Sequence, residues 1–303
     1  MLTADTIRSA NSRYHDLAAA GYDAKWGITY DEVGQAQVTA KLRRAVGGRP
    51  RCYARALEIG AGTGYFGLNL MLAEAIDELV ATDISPGMLR ALSASAAELG
   101  LDVETACSEA ASLPCSDGSF DLVFGHAVLH HLPDLAAALR EFRRVLRPGG
   151  QIAFCGEPSR YGDRIAALPK RGAMAVAPLW RSLMGAGARR NGALDGLSPS
   201  EEQLLERLVD VHAFTPRELA AAARAAGFEQ VRVRGEELVA GLFGWVNRTL
   251  ESTAEPDDVP WAWRVYAYRG YLALQALDRA LLEPRLPAGL FYNLLVSGRA
   301  PLA

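Results

Sequence analysis

Short apolar segments alternate with helical patterns from about residue 54 onward, and this alternation constrains the fold more than any other feature of the chain. Helical patterns occur near residues 65–76, 86–99 and 134–146. The apolar segments around them are ARALEI (54–59), ELVATD (78–83), DVETAC (102–107), FDLVFG (120–125) and QIAFCG (151–156). Such alternation is typical of βαβ units, in which helices cover both faces of a parallel sheet. We therefore expect an α/β fold.

Helix-boundary signals agree with this interpretation. Ser85 precedes Pro86 in the arrangement of an N-cap followed by proline at the first helical position. Thr215 and Glu218 form a capping-box pattern at the start of a later helix. The sequence RPGG (147–150) predicts that the third helix ends there and that the chain turns back into a strand. Two further segments have strand character, QVRVR (230–234) and FYNLLVSG (291–298).

Two long stretches, 157–213 and 236–290, interrupt the alternation. Both exceed the roughly 12–15 residues that a structureless loop usually reaches, so each should contain helices and form a cap. Residues 160–190 carry seven basic side chains and one acid, mixed with methionine, leucine and tryptophan. We favour a solvated helical cap here over contact with an anionic membrane surface. The second stretch is rich in tryptophan and tyrosine, most of which should be core, while a few could line an apolar pocket.

The net charge of −3 gives no general attraction to nucleic acid, so we expect no nucleic-acid partner. The N-terminus is polar, and no apolar run approaches the ~20 residues that span a bilayer. Four cysteines lack metal-type spacing: Cys52, Cys107, Cys115 and Cys155. Reduced thiols in a cytoplasmic protein are the expected state.

The glycine-rich segment after the first strand allows two cofactors. Gly62-x-Gly64-x-x-Gly67 has the spacing that binds a dinucleotide pyrophosphate. However, acids occur at the ends of three successive strands, Glu58 in the first, Asp83 after the second and Glu109 after the third, at the edge where α/β sheets bind ligands. Carboxylates repel a pyrophosphate and suit a ligand with hydroxyls, amines and positive charge, such as S-adenosylmethionine. We favour S-adenosylmethionine, with a dinucleotide-dependent oxidoreductase as the alternative.

Several motifs in order carry a family resemblance across about residues 54–157. They are LEIGAGTG (57–64), ATDISPGML (81–89), SLPCSDGSFDLV (112–123), AVLHHLPD (127–134) and EFRRVLRPGG (141–150). With these motifs the chain resembles the class I S-adenosylmethionine-dependent methyltransferases that act on small molecules. The resemblance implies a Rossmann-like, seven-stranded, mostly parallel sheet with an antiparallel last strand, helices on both faces and helical cap insertions.

The resemblance also implies a domain layout. An N-terminal helical lid over the cofactor would be followed by a binding core and then by caps that alternate with the remaining core elements. The expected segments are a lid (1–50), the core (51–157), a first cap (158–213), a core helix and strand (214–235), a second cap (236–290), and a final strand with a tail (291–303).

By the same resemblance, each part of the cofactor is assigned to particular residues. Asp83 would accept both ribose hydroxyls, while Glu109 would meet the adenine amine. Ser108 departs from the family pattern, in which glycine is frequent at that position. The methionine portion would contact Glu58, Gly60, Ala61, Gly62, Thr63 and Gly64, with His126 beside it. The residues expected around the adenine are Ile84, Met88 and Ala110. In the lid, the expected contacts are Tyr22 and Trp26.

Methyl transfer is an in-line displacement, so positioning supplies much of the rate, and a base helps only if the nucleophile carries a proton. His126 and Glu157 are candidate bases because both follow strands at the ligand edge, and His131 is a third candidate. His126, His130 and His131 lie within six positions but lack a third metal ligand nearby, so we expect no metal and a structural role for His130.

The sequence thus predicts a cytoplasmic, metal-independent methyltransferase that acts at O, C or N of a lipophilic or aromatic small molecule. A cofactor-binding protein that has kept the fold and lost transfer is a further alternative. The oligomeric state stays open.

Overall fold

A seven-stranded sheet forms the centre of the chain, as a computed structural model shows for residues 3–48, 52–189, 205, 208–209 and 211–302. The strands are β1 (Tyr53–Ile59), β2 (Ile76–Asp83), β3 (Glu104–Cys107), β4 (Phe120–His126), β5 (Leu146–Pro158), β6 (Glu229–Glu236) and β7 (Asn293–Arg299). The helices are α1 (Ala4–Ala18), α2 (Tyr22–Trp26), α3 (Glu32–Val46), α4 (Tyr65–Leu72), α5 (Pro86–Glu98), α6 (Leu135–Val145), α7 (Arg160–Met184), α8 (Pro216–Ala225), α9 (Val239–Ser252) and α10 (Trp261–Leu277).

The strand order is β3-β2-β1-β4-β5-β7-β6. Strands β1 to β5 pair in parallel across this order. The Ala300 N–H donates to the Gly150 carbonyl at 2.8 Å, and the Gly149 N–H donates to the Pro301 carbonyl at 3.2 Å. These bonds place the start of β5 beside the end of β7, so β7 is antiparallel. The expected α/β class and the mostly parallel, seven-stranded sheet are confirmed.

The central strands are apolar on both faces because helices cover both. Leu57, Leu122 and Phe124 are fully buried, and Leu42 from α3 packs into one cluster with Leu122 and Phe124. A parallel sheet covered on both sides needs such continuous apolar runs, which explains why the strand segments stand out in the sequence.

The prediction for RPGG was wrong in one respect. Helix α6 ends at Val145, but residues 147–150 lie within β5 and do not precede it. Phe120 pairs with Leu146 and Leu122 pairs with Gln151, so the register shifts at this point. The four residues form a bulge, which Gly149 allows with its φ of 76°.

The chain divides into two compact units. The first comprises 1–157, 203–233 and 295–303, and the second comprises 158–202 and 234–294. In the second unit, α7, α9 and α10 pack around residues such as Trp180 and Leu250, so both interrupting stretches contain the expected helices. Residues 190–204, in the first expected cap, lie outside the described residues.

Gly67 allows α4 to lie close to the sheet, and its replacement by alanine should destabilise the protein. A Cβ at this position would lie 2.2 Å from Glu58 Oε2 and 2.7 Å from Leu79 Cδ2. We expect Gly67→Ala to lower the free energy of unfolding by about 1–3 kcal/mol, since overpacking forces shifts in a dense core. Urea unfolding checks this. Gly172→Ala is the matched control, because nothing lies within 4 Å of its added Cβ.

Candidate active site

A pocket in the first unit lies at the carboxyl ends of β1, β2 and β4. Ile59, Asp83 and His126 line it at these three strand ends. Residues after β3 line it too, including Glu109. The order of strands around β1 thus brings together side chains that are far apart in sequence, at the edge where parallel α/β sheets bind ligands.

The turn after β1 depends on glycine. Gly60, Gly62 and Gly64 have φ angles of 61°, 55° and 97°, a region that residues with side chains rarely adopt. A Cβ on Gly60 would lie 2.4 Å from Val128 Cγ2, whereas a Cβ on Gly62 would have nothing within 4 Å. Gly60 is therefore packed against protein, while Gly62 presents open backbone to the pocket that it lines.

Asp83 is fixed in place by two backbone amides. Its Oδ2 accepts from the Gly62 N–H and its Oδ1 accepts from the Ser85 N–H, both at 2.8 Å. Ser85 Oγ accepts from the Met88 N–H and so caps α5, as expected. Burial raises the pKa of the Asp83 carboxyl, while nearby His15 and the amide donors act in the opposite direction. The result is a rigid acceptor at the pocket wall.

Glu109 lines the pocket beside Ala110, and its Oε1 lies 2.7 Å from Arg8 Nε. Arg8 belongs to α1, which also contributes Asn11 and His15 to the pocket. These three residues were not predicted from the sequence. No local motif marks them, because they reach the pocket only through the packing of α1.

Helix α1 is held by hydrogen bonds to the start of α5. Asp16 Oδ1 accepts from the Ser85 hydroxyl at 2.6 Å and from the Gly87 N–H at 2.7 Å. The Ser12 hydroxyl donates to the Ile84 carbonyl at 3.3 Å. An acid at a helix N-terminus is electrostatically favourable, and here it places α1 against the pocket.

Glu58 lies beneath the glycine turn and does not line the pocket. It is buried, its Oε1 accepts from the Gly67 N–H at 3.2 Å, and its Oε2 has no hydrogen-bond partner among the described residues. Burial raises the pKa of Glu58 to about 8. The structure therefore shows a support for the turn and not the expected direct contact with a cofactor.

The raised pKa of Glu58 predicts a pH dependence of stability. The folded state keeps this proton up to about pH 8, whereas the unfolded chain releases it near 4.5. Between these values the unfolded state binds fewer protons, so the contribution of Glu58 to stability is present at low pH and is lost as pH rises, by at most ~1.4 kcal/mol per unit. We expect Glu58→Gln to resist this loss. The urea midpoint of the variant should therefore rise relative to that of wild type as the pH increases from 5 to 8. Parallel midpoints for the two proteins would contradict the account.

His126 and His131 both line the pocket. The His126 ring packs against the rings of Tyr65 and Phe66, with centroids 5.4 and 5.6 Å away. His131 Nδ1 lies 3.0 Å from the Val209 carbonyl, which requires Nδ1 to be the protonated nitrogen of the neutral ring and leaves the basic lone pair on Nε2. Burial, followed by His130 and His15, lowers the pKa of His131 well below its usual range, so the ring is neutral at pH 7.

Glu157 does not face the pocket. Its Oε1 accepts from the Val128 and Leu129 N–H groups at 3.0 Å, and its Oε2 accepts from the His130 N–H at 3.1 Å and lies 2.9 Å from His130 Nδ1. The carboxylate is fully buried. These donors occupy it and hold the turn after β4, so the structure argues against Glu157 as a base. The same contacts indicate a structural role for His130.

The expected site residues therefore fall into two groups. Those that line the pocket are Tyr22, Gly60, Gly62, Asp83, Ile84, Met88, Glu109, Ala110, His126 and His131. Those outside its lining are Trp26, Glu58, Ala61, Thr63, Gly64 and Glu157. Trp26 is 40 % exposed, and the Thr63 hydroxyl donates to Asp23. Within the part of the chain that the structure describes, no group of three histidine, cysteine or acidic residues is arranged to hold a metal ion.

Comparisons with known proteins agree with this geometry. A family profile described as "Methyltransferase domain" matches residues 57–154. A malonyl-[acyl-carrier protein] O-methyltransferase of Methylococcus capsulatus is 39% identical over 153 residues, which are 50% of this chain and 50% of that protein. A demethylmenaquinone methyltransferase of Roseiflexus castenholzii is 36% identical over 149 residues, which are 49% of this chain and 60% of that protein.

Among solved structures, phosphoethanolamine N-methyltransferase 2 of Haemonchus contortus, in complex with S-adenosyl-L-methionine, superposes with a TM-score of 0.60. It is 16% identical and covers 99% of this chain and 60% of that chain. At this identity the likeness concerns the fold. The chain spans about half the length of the first curated relative, and the profile match begins within β1 and runs through β4 into β5. Residues 57–154 thus match a methyltransferase domain, and the predicted resemblance to the class I S-adenosylmethionine-dependent methyltransferases is confirmed.

Proposed function

We propose that this chain binds S-adenosylmethionine in the pocket and transfers its methyl group to a small molecule. The observation that carries the proposal is the Asp83 carboxylate, which two amides fix at the pocket wall beside the open backbone of Gly62. Such a carboxylate suits a ribose diol. The match of residues 57–154 to a methyltransferase domain favours S-adenosylmethionine over a dinucleotide as the owner of that diol.

The described residues supply complementary groups for each part of such a cofactor. Asp83 would accept the ribose hydroxyls, and Glu109 with Ala110 would face the adenine. Gly62 would allow close approach of the methionine portion. When bound, S-adenosylmethionine supplies an electrophilic methyl group on a sulfonium. The protein's task is then to hold the acceptor atom in line with that methyl, to exclude water and, for a protonated nucleophile, to remove a proton.

His131 and His126 are the proposed bases for an acceptor that carries a proton, because both face the pocket. His131 is neutral and holds its lone pair on Nε2, as a proton acceptor must. Its lowered pKa makes it a weak base, which suits an acceptor that needs little activation. An acceptor that is already ionised would need neither histidine.

We further propose that the acceptor is a lipophilic or aromatic small molecule that is methylated at O, C or N. One matched relative is named for malonyl-[acyl-carrier protein] and the other for demethylmenaquinone, so similar domains serve different acceptors. The second name denotes a lipophilic quinone, which supports an acceptor of that kind here.

Formation of S-adenosylhomocysteine tests this proposal. The purified chain should be incubated with S-adenosylmethionine and a panel of quinols, phenols, amines and malonyl thioesters. We expect turnover with a lipophilic quinol or phenol, and loss of turnover in Asp83→Ala. Turnover with malonyl thioesters alone would reject the acceptor class. Binding of the cofactor without turnover on any class would favour a non-catalytic binding protein.

A further inference from the structure

Helix α7 presents a continuous stripe of large apolar side chains on its outer face. Tyr161, Ile165, Leu168, Val176, Leu179 and Leu183 are all exposed, Leu168 by 77 %, Leu179 by 64 % and Leu183 by 71 %. With Gly172 they follow the spacing 4, 3, 4, 4, 3, 4. At 3.6 residues per turn, these positions fall within about 80° of arc along the whole helix. We call these seven residues the α7 stripe.

The α7 stripe is separate from the face that packs into the second unit. Ala173, Ala177 and Trp180 form that inner face and are buried against Leu250 and its neighbours in α9 and beyond. The inner face is centred roughly 100° of arc from the stripe. The core of the unit thus uses the inner face, and the stripe is not part of it.

Basic side chains border the stripe. Arg164 and Arg171 are exposed and lie on the side of the stripe away from the buried face, where the half-buried Arg160 also falls. The one acid within α7, Asp163, lies 3.3 Å from Lys170. A helix with leucines on one face and arginines beside them is typical of helices that lie in the interface of an anionic bilayer.

We propose that the α7 stripe and its bordering arginines dock this protein on an anionic lipid surface, in place of the solvated cap that the sequence alone favoured. The helix would lie in the plane of the interface and not cross it, since no helix in the described ranges is long and apolar enough to span a membrane. Charge favours lipid over a second copy of the chain. Two copies paired through the stripe would bring Arg164 and Arg171 toward like charges with no unpaired acid on α7 to meet them, whereas anionic headgroups complement them. This inference is independent of the proposed methyl acceptor.

Vesicle flotation of the full chain tests the proposal, with vesicles of equal phosphatidylglycerol and phosphatidylcholine compared with phosphatidylcholine alone. We expect binding to the first, weakened by salt through screening. Leu179→Gln/Leu183→Gln should lower the partition coefficient at least about tenfold, since each leucine loses apolar burial. The matched control is Leu277→Gln/Leu281→Gln, which changes two exposed leucines outside α7 and should leave partitioning unchanged.

A second pair of variants measures how much the arginine charges contribute to vesicle binding, apart from the burial of the leucines. Arg164→Gln/Arg171→Gln should weaken binding to the anionic vesicles by about fivefold per arginine. Arg217→Gln/Arg232→Gln, at exposed arginines of the first unit, should have little effect. Thermal melts establish that each variant is folded. Absence of wild-type binding, or equal loss in stripe and control variants, would overturn the proposal. So would a wild-type dimer, seen by light scattering, that only the stripe variant dissociates.

Discussion

Asp83→Ala is expected to weaken the binding of S-adenosylhomocysteine by about 100-fold or more. In the proposed binding mode Asp83 accepts from both ribose hydroxyls, and hydrogen bonds to a charged group contribute about 1.5–3 kcal/mol each. Calorimetric titration measures the effect directly. S-adenosylhomocysteine is the better probe because it carries the same ribose and adenine and cannot turn over.

Two further variants distinguish a loss of ligand contact from a distortion of the turn that Asp83 holds. Asp83→Asn keeps an acceptor oxygen for only one of the Gly62 and Ser85 amides and loses the charge, so its affinity should fall between those of wild type and Asp83→Ala. Asp102→Ala, at an exposed acid before β3, should bind as wild type does. Unchanged affinity in Asp83→Ala, with a melting temperature equal to that of wild type, would show that Asp83 does not meet the ligand.

Glu157→Ala is expected to lower the free energy of unfolding by at least ~3 kcal/mol. The carboxylate accepts three backbone N–H groups, from Val128, Leu129 and His130, in a buried site. Each buried donor left without an acceptor costs roughly 1–3 kcal/mol, against a total stability of about 5–15 kcal/mol. Urea unfolding in the absence of ligand checks the prediction.

This experiment also distinguishes a structural role from a catalytic one. A base that acts on substrate would leave the stability of the unliganded protein unchanged and would lower turnover alone. Glu98→Ala, at an exposed acid in α5, should change stability by no more than about 0.5 kcal/mol. If Glu157→Ala is as stable as Glu98→Ala and yet inactive, Glu157 is catalytic and the assignment made from its contacts is wrong.

The fold was predictable because its signals are local. Buried strands such as β4, with Leu122, Val123 and Phe124 in succession, are mostly apolar, and Ser85 marks the start of α5 by its own capping bond. Asp83 was predictable for a similar reason, since the residue that ends β2 must lie at the ligand edge of the sheet. Chain order and strand direction suffice for such residues.

Residues whose position depends on tertiary packing were not predictable. Glu157 follows β5 at the ligand edge, as a base would, but the turn after β4 directs three amides toward it. Ala127, with a φ of 54°, lies in that turn, and nothing in its residue type signals a left-handed conformation. Arg8 and His15 reach the pocket because Asp16 fixes α1 on α5, a contact between segments about 70 residues apart.

Titration of the wild-type chain with S-adenosylhomocysteine and with NADH tests the central claim most directly. The methyltransferase-domain match covers the strands that carry Asp83 and the glycine turn, so the pocket should bind the first ligand and give no response to the second. Micromolar binding of S-adenosylhomocysteine with no NADH binding is the predicted result. Tight NADH binding without a response to S-adenosylhomocysteine would contradict both the cofactor assignment and the proposed methyl transfer.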